Sequence, residues 1–150
     1  MTAGKRDRPR MPQRNKGGFR LKQLAGGWRA GRFGCLAGLG HVEHLVTTRD
    51  GPAIPADPEG LAAPVEELRD HLGLEAIAWC RQVHGAEVLG AREHGAQGRV
   101  DALVTDRPGL GLMGRSADCP LILIADRAGK AVGMAHASWR GTVSRIAAAM

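Results

Sequence analysis

Three residues at the ends of apolar runs carry the donors in this chain best suited to bind a metal or attack a substrate. They are His84 in Gln82-Val83-His84-Gly85, Cys119 in Ser116-Ala117-Asp118-Cys119-Pro120, and His136 in Ala135-His136-Ala137-Ser138-Trp139-Arg140-Gly141. Two imidazoles and one thiolate, with a fourth position left open, are a usual way to hold a catalytic zinc. Each residue also has a plainer reading. His84 ahead of a glycine suits a turn, Cys119 suits a small buried hydrophobe, and His136 ends a strand. The same side chains allow a metal-free cysteine hydrolase, with Cys119 as nucleophile and His136 or His84 as base. Metal content separates these readings.

A second group of residues suits an anionic or hydroxylated substrate. Asp118, beside Cys119, is placed to orient a ligand or a sugar hydroxyl; its plain reading is a turn acid. Arg140 stands at an expected helix start with Gly141 after it, where exposed N–H groups and a guanidinium suit phosphate. Its plain reading is a surface arginine. Arg49, on the loop Thr48-Arg49-Asp50-Gly51, is a second phosphate candidate. Ser138 is a reasonable helix N-cap. Cys35 and Cys80 are read as structural, and His41, His44, His71 and His94 as surface or hydrogen-bonded histidines.

These residues must be positioned by mixed α and β structure. Gly40 to Thr48 reads as a short strand, and the Pro- and Gly-rich stretch 52–60 as a loop. Pro64 to Leu72 has Val65, Leu68 and Leu72 at helical spacing, with Gly73 just beyond, which predicts a helix. Ile77 to Val83, Glu87 to Ala91, Val100 to Thr105 and Leu110 to Met113 read as strands. Pro120 to Ala125 is a continuous apolar run, as expected of a strand buried on both faces. Asp126 to Lys130 is a hairpin turn, Ala131 to His136 the returning strand, and Trp139 to Met150 a helix. That last segment carries no stop signal after Arg145, so the chain reads as ending within a helix.

Length and composition bound the rest. At 150 residues and 43% hydrophobic content the chain suits one folded domain with a real core. No apolar run reaches membrane-spanning length, and no secretory signal is recognisable. Three cysteines, odd in number and widely spaced, suit reduced thiols in the cytoplasm rather than a disulfide framework. Charge is divided unevenly. Residues 1–32 hold ten Lys/Arg and one acid, hence +9, whereas residues 33–150 hold eleven Lys/Arg and fourteen acids, hence −3. The basic segment 1–32 lacks apolar periodicity and reads as a disordered arm. With an acidic body poor in aromatics, no nucleic-acid partner is expected, nor a membrane partner, and the sequence carries no signature of a particular oligomeric state.

Four segments carry a resemblance to a known family. Arg81 to Val88 resembles the "QVHG" element of the laccase-domain family, also called multicopper polyphenol oxidase, purine nucleoside phosphorylase or peptidoglycan editing factor. Asp101-Ala102-Leu103-Val104-Thr105-Asp106 is similar to its "DALVT" element, Ser116 to Pro120 to its "TADC-P" element, and Ala135 to Gly141 to its "HAGWRG" element. The order and the intervals agree, with 35 residues from His84 to Cys119 and 17 from Cys119 to His136. Ser138 departs from the family's glycine, and a substrate approaching the backbone there would find a narrower pocket.

The resemblance implies an α+β fold, a mixed α/β sandwich, with one zinc bound by His84, Cys119 and His136; copper is the less favoured ion. It implies phosphorolysis of purine nucleosides (adenosine, inosine, guanosine, methylthioadenosine), with adenosine deamination as a side activity. Purine nucleosides and phosphate are then the partners, with Arg49, Asp118 and Arg140 as candidate catalytic residues. The family domain runs about a hundred residues further, so residues 33–150 read as its N-terminal part. An incomplete sheet would leave Leu121, Ile122 and Ile124 uncovered, so low stability or an inactive remnant is expected of the isolated chain.

Overall fold

The computed structural model describes residues 18–24, 27–55 and 57–150. Among them, chain order begins with two antiparallel strands, β1 (Phe19–Gln23) and β2 (Arg29–Phe33), then a short helix α1 (Gly34–Ala37) and β3 (Val46–Thr47). These strands form one sheet in the order β1-β2-β3. The expectation of a disordered arm through residue 32 is therefore corrected for residues 18–24 and 27–32; residues 1–17 lie outside the described residues. The pattern Phe19-Arg20-Leu21-Lys22 alternates with period two, a strand signal outweighed by the high charge of the segment.

A 3₁₀ turn (Pro58–Leu61), capped by Asp57 Oδ1 accepting from Glu59 N at 3.0 Å, leads into helix α2 (Ala62–Leu72). Gly73, at φ 62°, ends the helix in the left-handed conformation that glycine adopts without strain. Buried Val65 and Leu68 pack with Trp28, Ala30, Ile77 and Trp79, which joins the first sheet to the second. The second sheet holds β4 (Ala76–Trp79), β6 (Gly95–Ala96) and β8 (Leu110–Met113), all parallel, in the order β6-β4-β8.

The third sheet carries the site. It contains β5 (Val88–Gly90), β7 (Ala102–Thr105), β9 (Leu121–Ala125) and β10 (Val132–His136), in the order β5-β7-β10-β9. β5 and β7 run parallel, while β10 runs antiparallel to both neighbours. Ala78, Cys80, Leu103 and Leu110 fill the space between the second and third sheets. Parallel and antiparallel pairing together give the expected α+β fold.

Two expectations are corrected. The apolar run Pro120 to Ala125 forms a strand at the edge of the sheet, since among the described residues β9 pairs with β10 alone, and Leu121 and Ile124 are each 39% exposed. The final helix is broken: α3 (Trp139–Val143) and α4 (Ile146–Ala149) are separated at Arg145, whose φ is 63°. That turn swings fully buried Ile146 onto Ala102, Ala135 and Ala137.

Candidate metal centre

The hairpin of β9 and β10 brings Cys119 and His136 together. Leu121 pairs with His136 in the ladder, and Ala137 N donates to Pro120 O at 2.9 Å. Cys119, two residues before Leu121, therefore sits beside the end of β10. Ser116 Oγ hydrogen-bonds to the Cys119 carbonyl and closes the bend that carries the thiol.

His84 arrives from the other side through Asp101. This aspartate has no exposed surface and stands just before β7. Its Oδ2 accepts from the amides of Val83 at 3.1 Å and Gly85 at 2.8 Å, and its Oδ1 accepts from the amide of His84 at 3.0 Å. Three successive N–H groups thus converge on one carboxylate. They hold His84 at φ 63°, a left-handed conformation that is costly for a non-glycine residue unless its surroundings impose it.

The same Oδ1 lies 2.8 Å from His136 Nδ1. Burial alone would raise the Asp101 pKa. The hydrogen bonds from His136 and from the amides of Gly85, Val83 and His84 outweigh burial and hold the carboxyl below its usual range. An ionised carboxylate only accepts hydrogen bonds. His136 Nδ1 must therefore carry the proton, which leaves the Nε2 lone pair for a ligand. A carboxylate that fixes the tautomer of a metal-binding histidine is a recurrent arrangement.

Two further contacts lock the frame. Gln82 Nε2 donates to Arg115 O at 2.7 Å while Arg115 N donates to Gln82 Oε1 at 2.9 Å, joining the segment before His84 to the segment before Cys119. Gly141 packs on the His84–Gly85 turn so closely that a Cβ there would lie 2.5 Å from Gly85 O.

The result is a cluster in which one donor atom from each of His84, Cys119 and His136 lies within 4.8 Å of the others. The His84 and His136 rings meet edge to face, with centroids 5.0 Å apart. Ligand atoms around a tetrahedral zinc stand roughly 3.3–3.8 Å apart given bonds of about 2.0–2.3 Å. The side chains need only draw in slightly to hold an ion. His84 is exposed, Cys119 half-buried and His136 buried, so the cluster opens to solvent on one side. The donor set fits a borderline-soft divalent ion with an open fourth position.

A sequence profile of the family described as multi-copper polyphenol oxidoreductase laccase matches residues 51–150, a stretch that includes all three donors and Asp101. The chain belongs to that family. It is 43% identical over 119 residues to a protein of Deinococcus radiodurans named purine nucleoside phosphorylase, covering 70% of this chain and 47% of that protein. It is 39% identical over 105 residues to purine nucleoside phosphorylase ORF3 of Streptomyces griseus, covering 66% and 43%. Among solved structures, YlmD of Geobacillus stearothermophilus aligns with a TM-score of 0.66 at 29% identity, covering 87% of this chain and 56% of that one. Protein NMB0706 of Neisseria meningitidis aligns with a TM-score of 0.60 at 30% identity, covering 70% and 49%. The chain spans about half the length of the curated relatives it matches.

The remaining candidates in this laccase-family chain fall in different places. Asp118 is exposed on the bend that carries Cys119. Arg140 is exposed on α3, its guanidinium 5.4 Å from the ring centre of Trp139. Arg140 stands in the first turn of α3, as expected; the helix has five residues, and its Gly141 amide donates to the expected N-cap, Ser138 Oγ, at 3.1 Å. Ser138 is fully buried, so its hydroxyl caps the helix and narrows no open pocket. Arg49 is exposed after β3, on an open depression lined also by Thr47, Thr48 and Ile54, which includes none of the three donors. Arg115 Nη1 donates to Pro55 O at 3.0 Å and ties this loop to the Cys119 segment.

Asp101 and Gln82 escaped the sequence reading as functional residues, although both stand in the quoted elements. An acid opening an otherwise apolar strand was the available signal for Asp101. Cys80 matches its structural reading: it is buried, and burial, reinforced by the charge of Asp101, pushes its thiol up to about 11.

Proposed function

We propose that His84, Cys119 and His136 hold one zinc ion and that this centre serves purine nucleoside phosphorolysis. The observation that carries the reading is the convergence of the three donors, with Asp101 holding His136 in the ligating tautomer. The names of the Deinococcus and Streptomyces relatives supply the reaction class. A bound zinc would act as a Lewis acid or lower the pKa of a bound water.

In this reading phosphate attacks the anomeric carbon of the nucleoside, the glycosidic bond breaks, and the purine leaves with a proton while ribose 1-phosphate forms. Arg140 and Arg49 are the cations proposed to hold phosphate. Asp118, on the bend beside Cys119, is proposed to accept from a ribose hydroxyl. Adenosine, inosine, guanosine and methylthioadenosine are the proposed substrates, with hydrolytic deamination of adenosine as a side activity. Copper is the less favoured ion in this reading, because two imidazoles and a thiolate with an open fourth position suit zinc. The described cysteines are all free, in keeping with the proposed cytoplasmic setting. No helix among the described residues is long and apolar enough to cross a membrane.

One observation favours a second reading. Cys119, His136 and Asp101 also have the order of contacts of a thiol–imidazole–carboxylate triad. A single experiment separates the two. Wild-type protein purified without chelator should contain about one zinc per chain and release adenine from adenosine only when phosphate is present. Protein free of metal that hydrolyses an activated ester, and loses that activity in Cys119→Ser, supports the hydrolase instead.

A further inference from the structure

The face of the first sheet that turns Ala30 into the core carries three cations in one cleft. The register sets Arg20 opposite Arg32 and Lys22 opposite Ala30, so these three cations share that side, while Phe19, Leu21 and Phe33 lie on the other. Together with Gly18, Gly34 and Ala37 they line a cleft of about 480 Å³ bounded by β1, the end of β2 and α1. Gly34 N donates to Gly18 O at 3.3 Å and joins two of its walls.

The charge in this cleft is not balanced. Like charges directly opposite each other in a ladder repel, as Arg20 and Arg32 must. Arg32 Nη1 pairs with Glu43 at 2.6 Å, whereas Arg20 and Lys22 make no ion pair among the described residues. Three positive charges less the one negative charge of Glu43 leave +2. The Arg32 Nε–H is shielded from solvent and has no acceptor among the described residues, so one carboxylate does not satisfy this guanidinium.

We propose that this cleft binds the phosphate group of a small phosphomonoester, held between Arg20 and Arg32 with Lys22 as a third cation. A phosphomonoester carries about −1.5 to −2 charge at pH 7, which matches the uncompensated charge of the cleft. A monocarboxylate would leave one charge unmatched. Guanidinium groups present forked donors that fit phosphate oxygens, and two of them face each other here. The cleft is larger than a phosphate group and falls within the range of small-molecule sites, so it has space for the organic part. Gly18, Gly34 and Ala37 leave that space open, because none has a side chain beyond Cβ. No metal donor lines the cleft, nor do Arg49 and Arg140, so the site stands apart from the proposed reaction.

The test is calorimetric titration of the full chain with glycerol phosphate and with acetate. It is made on a parent carrying Arg49→Gln and Arg140→Gln, so that the cations proposed for the reaction do not contribute. This parent should bind glycerol phosphate and bind acetate about tenfold more weakly. Arg20→Gln and Lys22→Gln, each added to the parent, should keep its circular dichroism spectrum and lose about tenfold in affinity for glycerol phosphate, as expected for loss of one charge-assisted hydrogen bond. Arg20→Lys should restore part of that loss. Arg127→Gln removes an exposed cation on the β9–β10 turn and should leave the affinity unchanged. Equal affinity for acetate would overturn the proposal, as would a loss in Arg127→Gln as large as in Arg20→Gln, which would reduce the binding to net charge. Binding by the wild-type chain that disappears in the parent would assign the phosphate to the reaction site instead, and failure of both to bind would leave the cleft without this ligand; either result overturns the proposal.

Discussion

Asp101 and His136 are joined twice: side chain to side chain at 2.8 Å, and backbone N–H of His136 to the Asp101 carbonyl at 2.7 Å. The second bond continues the β7–β10 ladder, so the sheet itself sets the distance at which the carboxylate meets the imidazole. Asp101→Asn keeps the shape but offers one acceptor oxygen and a weaker partner for Nδ1–H. Zinc affinity should fall about 10- to 100-fold, as is typical when such a carboxylate is lost. Competition with a chromogenic chelator reads this directly; unchanged affinity would remove Asp101 from the site.

Gln82 clamps the two donor-bearing segments through both atoms of its amide. Gln82→Glu retains an acceptor for Arg115 N but cannot donate to Arg115 O. We expect weaker zinc binding in Gln82→Glu with a loss of about 1 kcal/mol in stability, measured by chelator competition and chemical denaturation. A change in stability without a change in zinc affinity would make Gln82 a structural residue only.

Gly141 has no room for a side chain against Gly85 O. Gly141→Ala should force α3 away from the His84 turn and cost roughly 1–3 kcal/mol, the usual range for overpacking. Ser138→Ala removes only the cap on Gly141 N and should cost about 1 kcal/mol. Thermal melts of the two variants rank them; a Gly141→Ala variant as stable as wild type would show that the turn can shift freely.

Cys80, Cys119 and Cys35 should label in different ways. Cys35 is exposed and should react with an alkylating reagent at once, Cys119 should react only in metal-free protein, and buried Cys80 should resist in both. Because burial raises the folded Cys80 thiol to about 11, its neutral form favours the fold fully below the ordinary thiol range, and that contribution is lost as pH rises through the folded value. Cys80→Ala should therefore lose less stability than wild type over the alkaline range. Parallel pH profiles of the two melts would contradict this.

The helix over Pro64–Leu72 and its Gly73 stop were legible because spacing and capping are local, and strand β8 was located to the residue for the same reason. The three donors were legible through their flanking elements. The hairpin β1-β2 was hidden under its charge, since each cation on its strands falls where net charge argues for disorder. The exposure of β9 was hidden because an apolar run reports hydrophobicity and not its place in a sheet. Asp101 was hidden for a deeper reason: its work depends on four hydrogen bonds from residues 16 to 35 positions away.

That dependence bears on any attempt to move the site into another scaffold. Copying His84, Cys119 and His136 onto a new backbone would transplant the donors without the device that aims them. The left-handed turn at His84 and the proton on His136 are both set by one carboxylate, so a graft must carry Asp101 at the mouth of its own strand together with the amides of Val83 and Gly85. The smallest portable unit is the turn, the strand opening and the hairpin end taken as one piece.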